Sequence, residues 1–148
     1  MKHDKCGTPD CCQECGPIQT RLNRYVQILG NIEEDQDKYV WIMDFGKNSI
    51  PMSAKHKIEE FEIQGCQTST WLVPHYVDDK IYFSADSMAL ISKGMVCIIA
   101  DVYSGSSAQD INDFDQSNFN ELKLDTLLTP GRSNGVYSML KQVIDYAN

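Results

Sequence analysis

The stretch from Met88 to Val102 constrains this chain most. Met88, Leu90, Ile91, Met95, Ile98, Ile99 and Val102 recur at helical spacing and leave hardly any polar face. A helix apolar on most of its circumference has to be buried along most of its length, so the other elements must wrap it, a sheet foremost. Cys97 falls inside this stretch and reads as a core residue. Gly94 lets a neighbouring element approach closely, and Ser84 or Asp86 is placed to cap the helix.

The flanking patterns supply the wrapping. Ile18, Leu22, Tyr25, Val26 and Leu29 make one face of an amphipathic helix ending near Gly30. Asn31 is an N-cap candidate for a second helix, where Glu33, Glu34 and Asp35 suit the positive end of the dipole. Tyr39, Ile42, Met43 and Phe45 form its buried face, Trp41 covers an edge, and Gly46 is the stop signal. Ser53 to Glu60 adds a short helical turn. Strand signals follow at Phe61–Ile63, Ser69–Tyr76 and Lys80–Ala85, with Asp78-Asp79 in a turn. Pro74 requires an edge position or a bulge. Gly105 to Asp125 is polar, with short helical pieces near Ala108–Ile111 and Asn118–Leu122. The closing helix runs through Val136, Met139, Leu140, Val143, Ile144 and Ala147. The expected fold is α+β: a small three-stranded antiparallel sheet packed by helices.

The chain of 148 residues fits one domain of ordinary size. No apolar run reaches membrane-spanning length, and Met1 to Cys6 lacks the apolar core of a secretory signal, so a cytoplasmic protein is the default. The net charge of −8, with no basic stripe, argues against nucleic acid as a ligand. Six cysteines in such a chain argue against a disulfide framework. Cys6, Cys11, Cys12 and Cys15 crowd residues 1–17, a stretch with almost nothing to bury. We read it as a flexible extension with exposed thiols preceding a domain over 18–148. A metal or cluster site there is the alternative, but the Cys-x4-Cys-x2-Cys spacing of plant-type ferredoxins would need a cysteine where Glu14 stands.

Cys66 needs a separate explanation. It lies in Ile63-Gln64-Gly65-Cys66-Gln67-Thr68, between strand signals and beside a glycine that frees the backbone. Two readings stand: a small buried hydrophobe, or a thiol presented to another molecule. No aspartate or histidine adjoins it to act as a base. Arg132, in Leu128-Thr129-Pro130-Gly131-Arg132-Ser133-Asn134-Gly135, sits in a turn leading into a helix, where its guanidinium can project freely, and on spacing alone it reads as a surface salt-bridge residue.

Together, Ile63-Gln64-Gly65-Cys66-Gln67, Trp71, Asp86-Ser87, Lys93-Gly94 and Thr129-Pro130-x-Arg132-Ser133-x-Gly135 resemble the SufE/CsdE family of sulfur acceptors, from about Ile18 to the C-terminus. The resemblance implies the compact α+β fold shared with iron–sulfur scaffold proteins of the IscU kind. It implies a sulfur acceptor that stimulates a cysteine desulfurase (SufS/CsdA-like) and delivers to a SufB-like iron–sulfur scaffold, as a monomer or homodimer. Cys66 would be the persulfide carrier, Gln64, Gly65 and Gln67 would shape its loop, and Arg132 would aid docking. No cofactor is expected on this chain, since pyridoxal phosphate belongs to the partner. Met88 departs from the acid common in relatives, and the cysteine-rich extension is not part of the family pattern. Two other classes remain in view: a stand-alone cysteine enzyme using His75, and an iron–sulfur scaffold joining Cys66 to Cys97.

Overall fold

In a computed structural model, residues 16–124 and 127–148 are described. Cys6, Cys11, Cys12 and Cys15 lie outside the described residues. The first helix, α1 (Gly16–Gly30), buries Ile18, Leu22, Tyr25 and Leu29 as its spacing dictates. The second, α2 (Asp35–Lys47), begins later than Asn31 suggests, with Glu34 at its N-cap. The Asn31 amide still bonds to Gln27 O at 3.1 Å, so Asn31 closes α1 instead of opening α2. Trp41 stacks on Phe45 with centroids 5.4 Å apart, and Tyr25 meets Phe45 edge-on, which ties α1 to α2.

The hairpin consists of β1 (Thr70–Val77) and β2 (Lys80–Ser87), antiparallel in a register running from Thr70↔Ser87 to Val77↔Lys80. The third strand is not Phe61–Ile63. Glu59–Phe61 winds into a short 3-10 turn, leaving only a single bridge, Glu62↔Trp71. The third strand is instead β3 (Ser106–Ser107), which pairs with Lys80 and Ile81 on the far side of β2. The sheet order is therefore β1-β2-β3, and the expected α+β class with three antiparallel strands holds. The edge reading of Pro74 also holds. Thr70 O accepts from Ile63 N and Leu72 O from the Tyr146 hydroxyl, so the backbone N–H and C=O groups of even-numbered residues of β1 point away from β2, and Pro74 stands at such a position. Its missing N–H takes nothing from the ladder.

The third helix, α3 (Leu90–Tyr103), is the centre of the molecule, packed against β2, α2, α1 and the last helix. Val96, Val102 and Tyr103 are fully covered, and Cys97 is in the core as expected, its thiol directed at Ala85 O. Neither Ser84 nor Asp86 caps α3. Strand β2 runs on through Ser87, and Ala89 takes the N-cap position. The α2–α3 crossing is made of backbone: a β-carbon on Gly94 would sit 2.1 Å from Ile42 O, and one on Gly46 would sit 2.6 Å from Gly94 N.

A short helix, α4 (Ala108–Asp113), and a 3-10 segment (Gln116–Leu122) occupy the polar stretch where helical pieces were expected. The closing helix is α5 (Pro130–Tyr146). Thr129 caps it by accepting from Arg132 N, and Pro130 occupies the first turn, where a missing N–H is harmless. At its other end, the Tyr146 hydroxyl donates to Leu72 O and Tyr146 O accepts from the Tyr76 hydroxyl, each at 2.8 Å. The helix therefore spans from the sheet edge at its end to the cysteine loop at its start.

Candidate functional site

The Ile63 amide donates to Thr70 O at 2.8 Å and so closes residues 64–69 into a loop leading into β1. Gly65 turns it with φ +92°, a conformation other residues rarely adopt, and a β-carbon there would also meet Ser138 Oγ at 2.5 Å. The turn brings Cys66 back onto the first turns of α5. Its thiol is half-buried and donates to Gly135 O at 3.8 Å. Gly131 and Gly135 provide the seat: the Gln67 side chain lies where a β-carbon on Gly131 would be, within 2.2 Å of it. Beside the sulfur, Ile91 and Met95 of α3, Val136 and Met139 of α5, and Arg132 line a gap of about 10 Å³, room for at most one water. Gln64, Gly65 and Gln67 themselves are exposed.

Burial pushes the Cys66 thiol up from its ordinary pKa, the polar Thr70 hydroxyl pulls the other way, and Glu62 adds to the rise. In this position the sulfur is a protonated thiol at neutral pH. The Arg132 guanidinium does not project freely. It is half-buried and donates to Ser92 Oγ at 3.1 Å, tying the first turn of α5 to α3. One atom in the loop is poorly provided for: Thr68 Oγ1 is buried with no hydrogen-bond partner. A buried hydroxyl left unmade costs about 1–3 kcal/mol, whereas an apolar isostere avoids that cost. Thr68→Val is therefore expected to leave stability unchanged or raise it by up to about 1 kcal/mol, and to slow amide exchange across residues 64–69. Faster exchange there would contradict the assignment.

Trp71, Asp86, Ser87 and Lys93, far apart in the chain, meet behind the loop. Asp86 is buried and paired with Lys57 at 3.2 Å and Lys93 at 3.5 Å, and its Oδ1 accepts from Ser87 N at 2.8 Å. Lys57 also lies over the Trp71 ring, 5.6 Å from its centroid. Ser87 Oγ lies 2.9 Å from Thr70 Oγ1 and donates to Ser69 O at 3.0 Å, which fixes the loop's exit. Burial alone would raise the Asp86 pKa, but the Ser87 amide and the two lysines hold it below the ordinary carboxylate value. A carboxylate whose folded pKa is depressed stabilises above its unfolded value, about pH 4, and loses that contribution as pH falls through the folded value. Asp86→Asn is accordingly expected to cost about 2–3 kcal/mol at pH 7, chiefly by leaving Lys93 unpaired. In urea melts the gap from wild type should shrink below pH 4, and a constant gap would refute the ion-pair account.

Some of these groups the sequence did not single out. Lys57, Thr70 and Ser138 gave no signal of their own, whereas Gly131 and Gly135 lay in the quoted motif without a role. Their four-residue spacing at the start of a predicted helix was the available clue. The alternatives to a thiol carrier fare differently. His75 Nε2 is 2.9 Å from Ser84 Oγ, its ring packs on His56, and it does not line the Cys66 gap. Cys97 lines a different cavity, with Tyr25 and Asp101. Among the described residues no three His, Cys, Asp or Glu side chains converge as a metal site. No described helix is long and apolar enough to cross a membrane.

Among the described residues, fold and site thus define a small α+β protein that offers one thiol on a glycine turn, seated on the glycines of a helix start and without a histidine beside it. The chain belongs to the SufE family: the model of the family described as "SufE: Fe-S metabolism associated domain" matches residues 23–147. An uncharacterised SufE-like protein of Rhizobium meliloti is 30% identical over 129 residues, covering 84% of this chain and 92% of that protein. SufE-like protein 1 of Arabidopsis thaliana, chloroplastic/mitochondrial, is 27% identical over 90% of this chain, which spans only 37% of the plant protein's length. A hypothetical protein of Thermus thermophilus, solved in solution, shares the fold, with a TM-score of 0.69 over 86% of this chain and 93% of that one at 13% identity.

Proposed function

We propose that Cys66 is a sulfur carrier: it takes sulfane sulfur from a pyridoxal-phosphate-dependent cysteine desulfurase, stimulates that enzyme by relieving it of sulfur, and passes the sulfur to an iron–sulfur scaffold. The observation that carries this reading is the placement of the one loop thiol of the SufE-matching region, Cys66, on the Gly65 turn at the surface. The Cys66 thiolate attacks the terminal sulfur of the donor's persulfide. The donor's S–S bond breaks, its cysteine leaves as a thiolate, and a new S–S bond forms on Cys66. This exchange requires a thiolate and room to approach, and no triad. Pyridoxal phosphate and C–S cleavage belong to the donor.

The seated thiol is protonated and confined, so the loop swings off the Gly131–Gly135 seat to react and returns to shield its cargo. Arg132 acts as a docking aid, holding the first turn of α5 against Ser92 while the loop moves. The free thiols of Cys66 and Cys97 suit a reducing compartment such as the cytoplasm. The test is peptide mass spectrometry after incubation with a cysteine desulfurase and cysteine, without reductant. Whole sulfur atoms gained on the Cys66 peptide, and only with the desulfurase present, support the carrier role. No gain with a demonstrably active desulfurase overturns it.

A further inference from the structure

The seat of Cys66 is narrow, yet a wider channel opens next to it. Between the 3-10 segment and α5 lies a groove of about 500 Å³, with Phe119 and Asn120 on one bank and Ser133, Val136 and Tyr137 on the other. Leu128 and Val136 line both this groove and the gap beside the Cys66 sulfur, so side chains of those two residues are what divides them. The same 3-10 segment packs against α1. Arg21 of α1 donates to Val102 O at 2.7 Å and to Ser106 Oγ at 2.9 Å, while the Tyr25 hydroxyl reaches back to Asp101. Helix α1 therefore begins beside the C-terminal end of α3, whereas Cys66 faces Ile91, Ser92 and Met95 at the opposite end.

Residues 1–15 join the molecule at that start of α1. Helical rise puts Val102 about 16 Å from Ile91 and Gly16 about 7 Å further on, so about 25 Å separates Gly16 from the Cys66 sulfur. Extended chain covers at most about 3.3–3.6 Å per residue, which is about 33–36 Å from Gly16 back to Cys6 but only about 13–18 Å to Cys12 or Cys11. Of the four thiols in this stretch, Cys6 is thus the one whose tether spans the distance. Its neighbours set it apart as well: Lys5 adjoins it, with Lys2 and His3 beyond Asp4, whereas Asp10 adjoins Cys11 and Glu14 adjoins Cys15. Basic neighbours favour the thiolate, the nucleophilic form. We infer that residues 1–15 run along this groove and bring Cys6 to Cys66, where Cys6 takes over the sulfur that Cys66 has accepted. The inference rests on the carrier reading and adds the step after it. The Cys6 thiolate attacks the terminal sulfur of the Cys66 persulfide. The S–S bond on Cys66 breaks, Cys66 leaves as a thiolate that is protonated as it returns to its seat, and a new S–S bond forms on Cys6. No oxidant or reductant is consumed. A thiol on so short a tether has a local concentration on the order of millimolar, which favours it over thiols free in solution.

The test uses four full-length variants, each keeping one of Cys6, Cys11, Cys12 and Cys15 with the other three changed to serine. Each is oxidised with diamide in dilute solution, and the disulfide-linked monomer is mapped by peptide mass spectrometry. The link to Cys66 is expected to form about tenfold faster from Cys6 than from any of the others. Linking from Cys11, Cys12 or Cys15 at an equal or greater rate, or linking only between molecules, overturns the inference. Tyr137 lines the groove and is largely exposed, so Tyr137→Ala should leave the fold intact and slow the Cys6 link about threefold. An unchanged rate overturns the groove as the route. With a cysteine desulfurase and cysteine, sulfur should appear first on the Cys66 peptide and then on the Cys6 peptide, and on neither in Cys66→Ser. Sulfur that loads Cys66 and never reaches Cys6 overturns the relay and leaves the carrier reading standing. If Cys66 takes up no sulfur, the carrier reading fails and the relay falls with it, whereas the diamide links, which need no sulfur donor, report the approach of Cys6 separately.

Discussion

Cys66→Ser is expected to fold with unchanged stability and to reduce sulfur uptake and desulfurase stimulation to background. The exchange proceeds through a thiolate, and a serine hydroxyl at the same place neither ionises near neutral pH nor forms a stable persulfide. The substitution is close to isosteric, and the thiol gives up only a long hydrogen bond to Gly135 O, so melting temperature should move by less than about 2 °C. The measurement is sulfide release by a cysteine desulfurase with wild type or variant added, alongside thermal melts. Stimulation retained by Cys66→Ser would place the acceptor elsewhere, and Cys6, Cys11, Cys12 and Cys15 would be the next thiols to examine.

Gly94→Val should have the largest effect on the fold. Even the first carbon of a side chain there would lie 2.1 Å from Ile42 O and 2.6 Å from its Cγ2, and backbone cannot turn aside as a side chain can. The gain in helix propensity over glycine is less than about 1 kcal/mol. Forcing α2 and α3 apart costs more, about 3 kcal/mol or beyond, because it also opens the packing around Ile42. For a chain of this length the melting temperature should fall by about 6–12 °C. Gly30→Val, where a β-carbon meets nothing within 4 Å, is the control expected to shift far less. Equal loss in both would mean that the crossing distance does not govern Gly94.

The sequence was informative where a pattern repeated over several turns. The apolar circumference of α3, the spaced faces of α1 and α5 and the hairpin over Thr70–Ser87 were all legible, because burial imposes a period on such elements. It was misleading where one hydrogen bond decides. Two residues, Ser106 and Ser107, are too few to show alternation, yet they supply the third strand, while the expected strand Phe61–Ile63 begins inside a 3-10 turn and keeps only the bridge Glu62↔Trp71. Arg132 looked free because Ser92, its partner, is 40 positions away in the chain. At the site, Cys66 stood out by its glycine neighbour. Its seat on Gly131 and Gly135 depends on long-range folding, which the four-residue spacing of the two glycines hints at without saying what lies against them.

The outer side of β1 bears on how other chains can approach. Its first carbonyl is taken by Ile63, the next by Tyr146, and Pro74 then interrupts the row of donors facing that way. A partner strand laid along this edge would find the ladder already filled or broken, so adding a strand is a closed route here. Whatever protein meets this molecule from that side must recognise it by its side chains, and concentrated solutions of it are guarded against edge-to-edge strand pairing through β1.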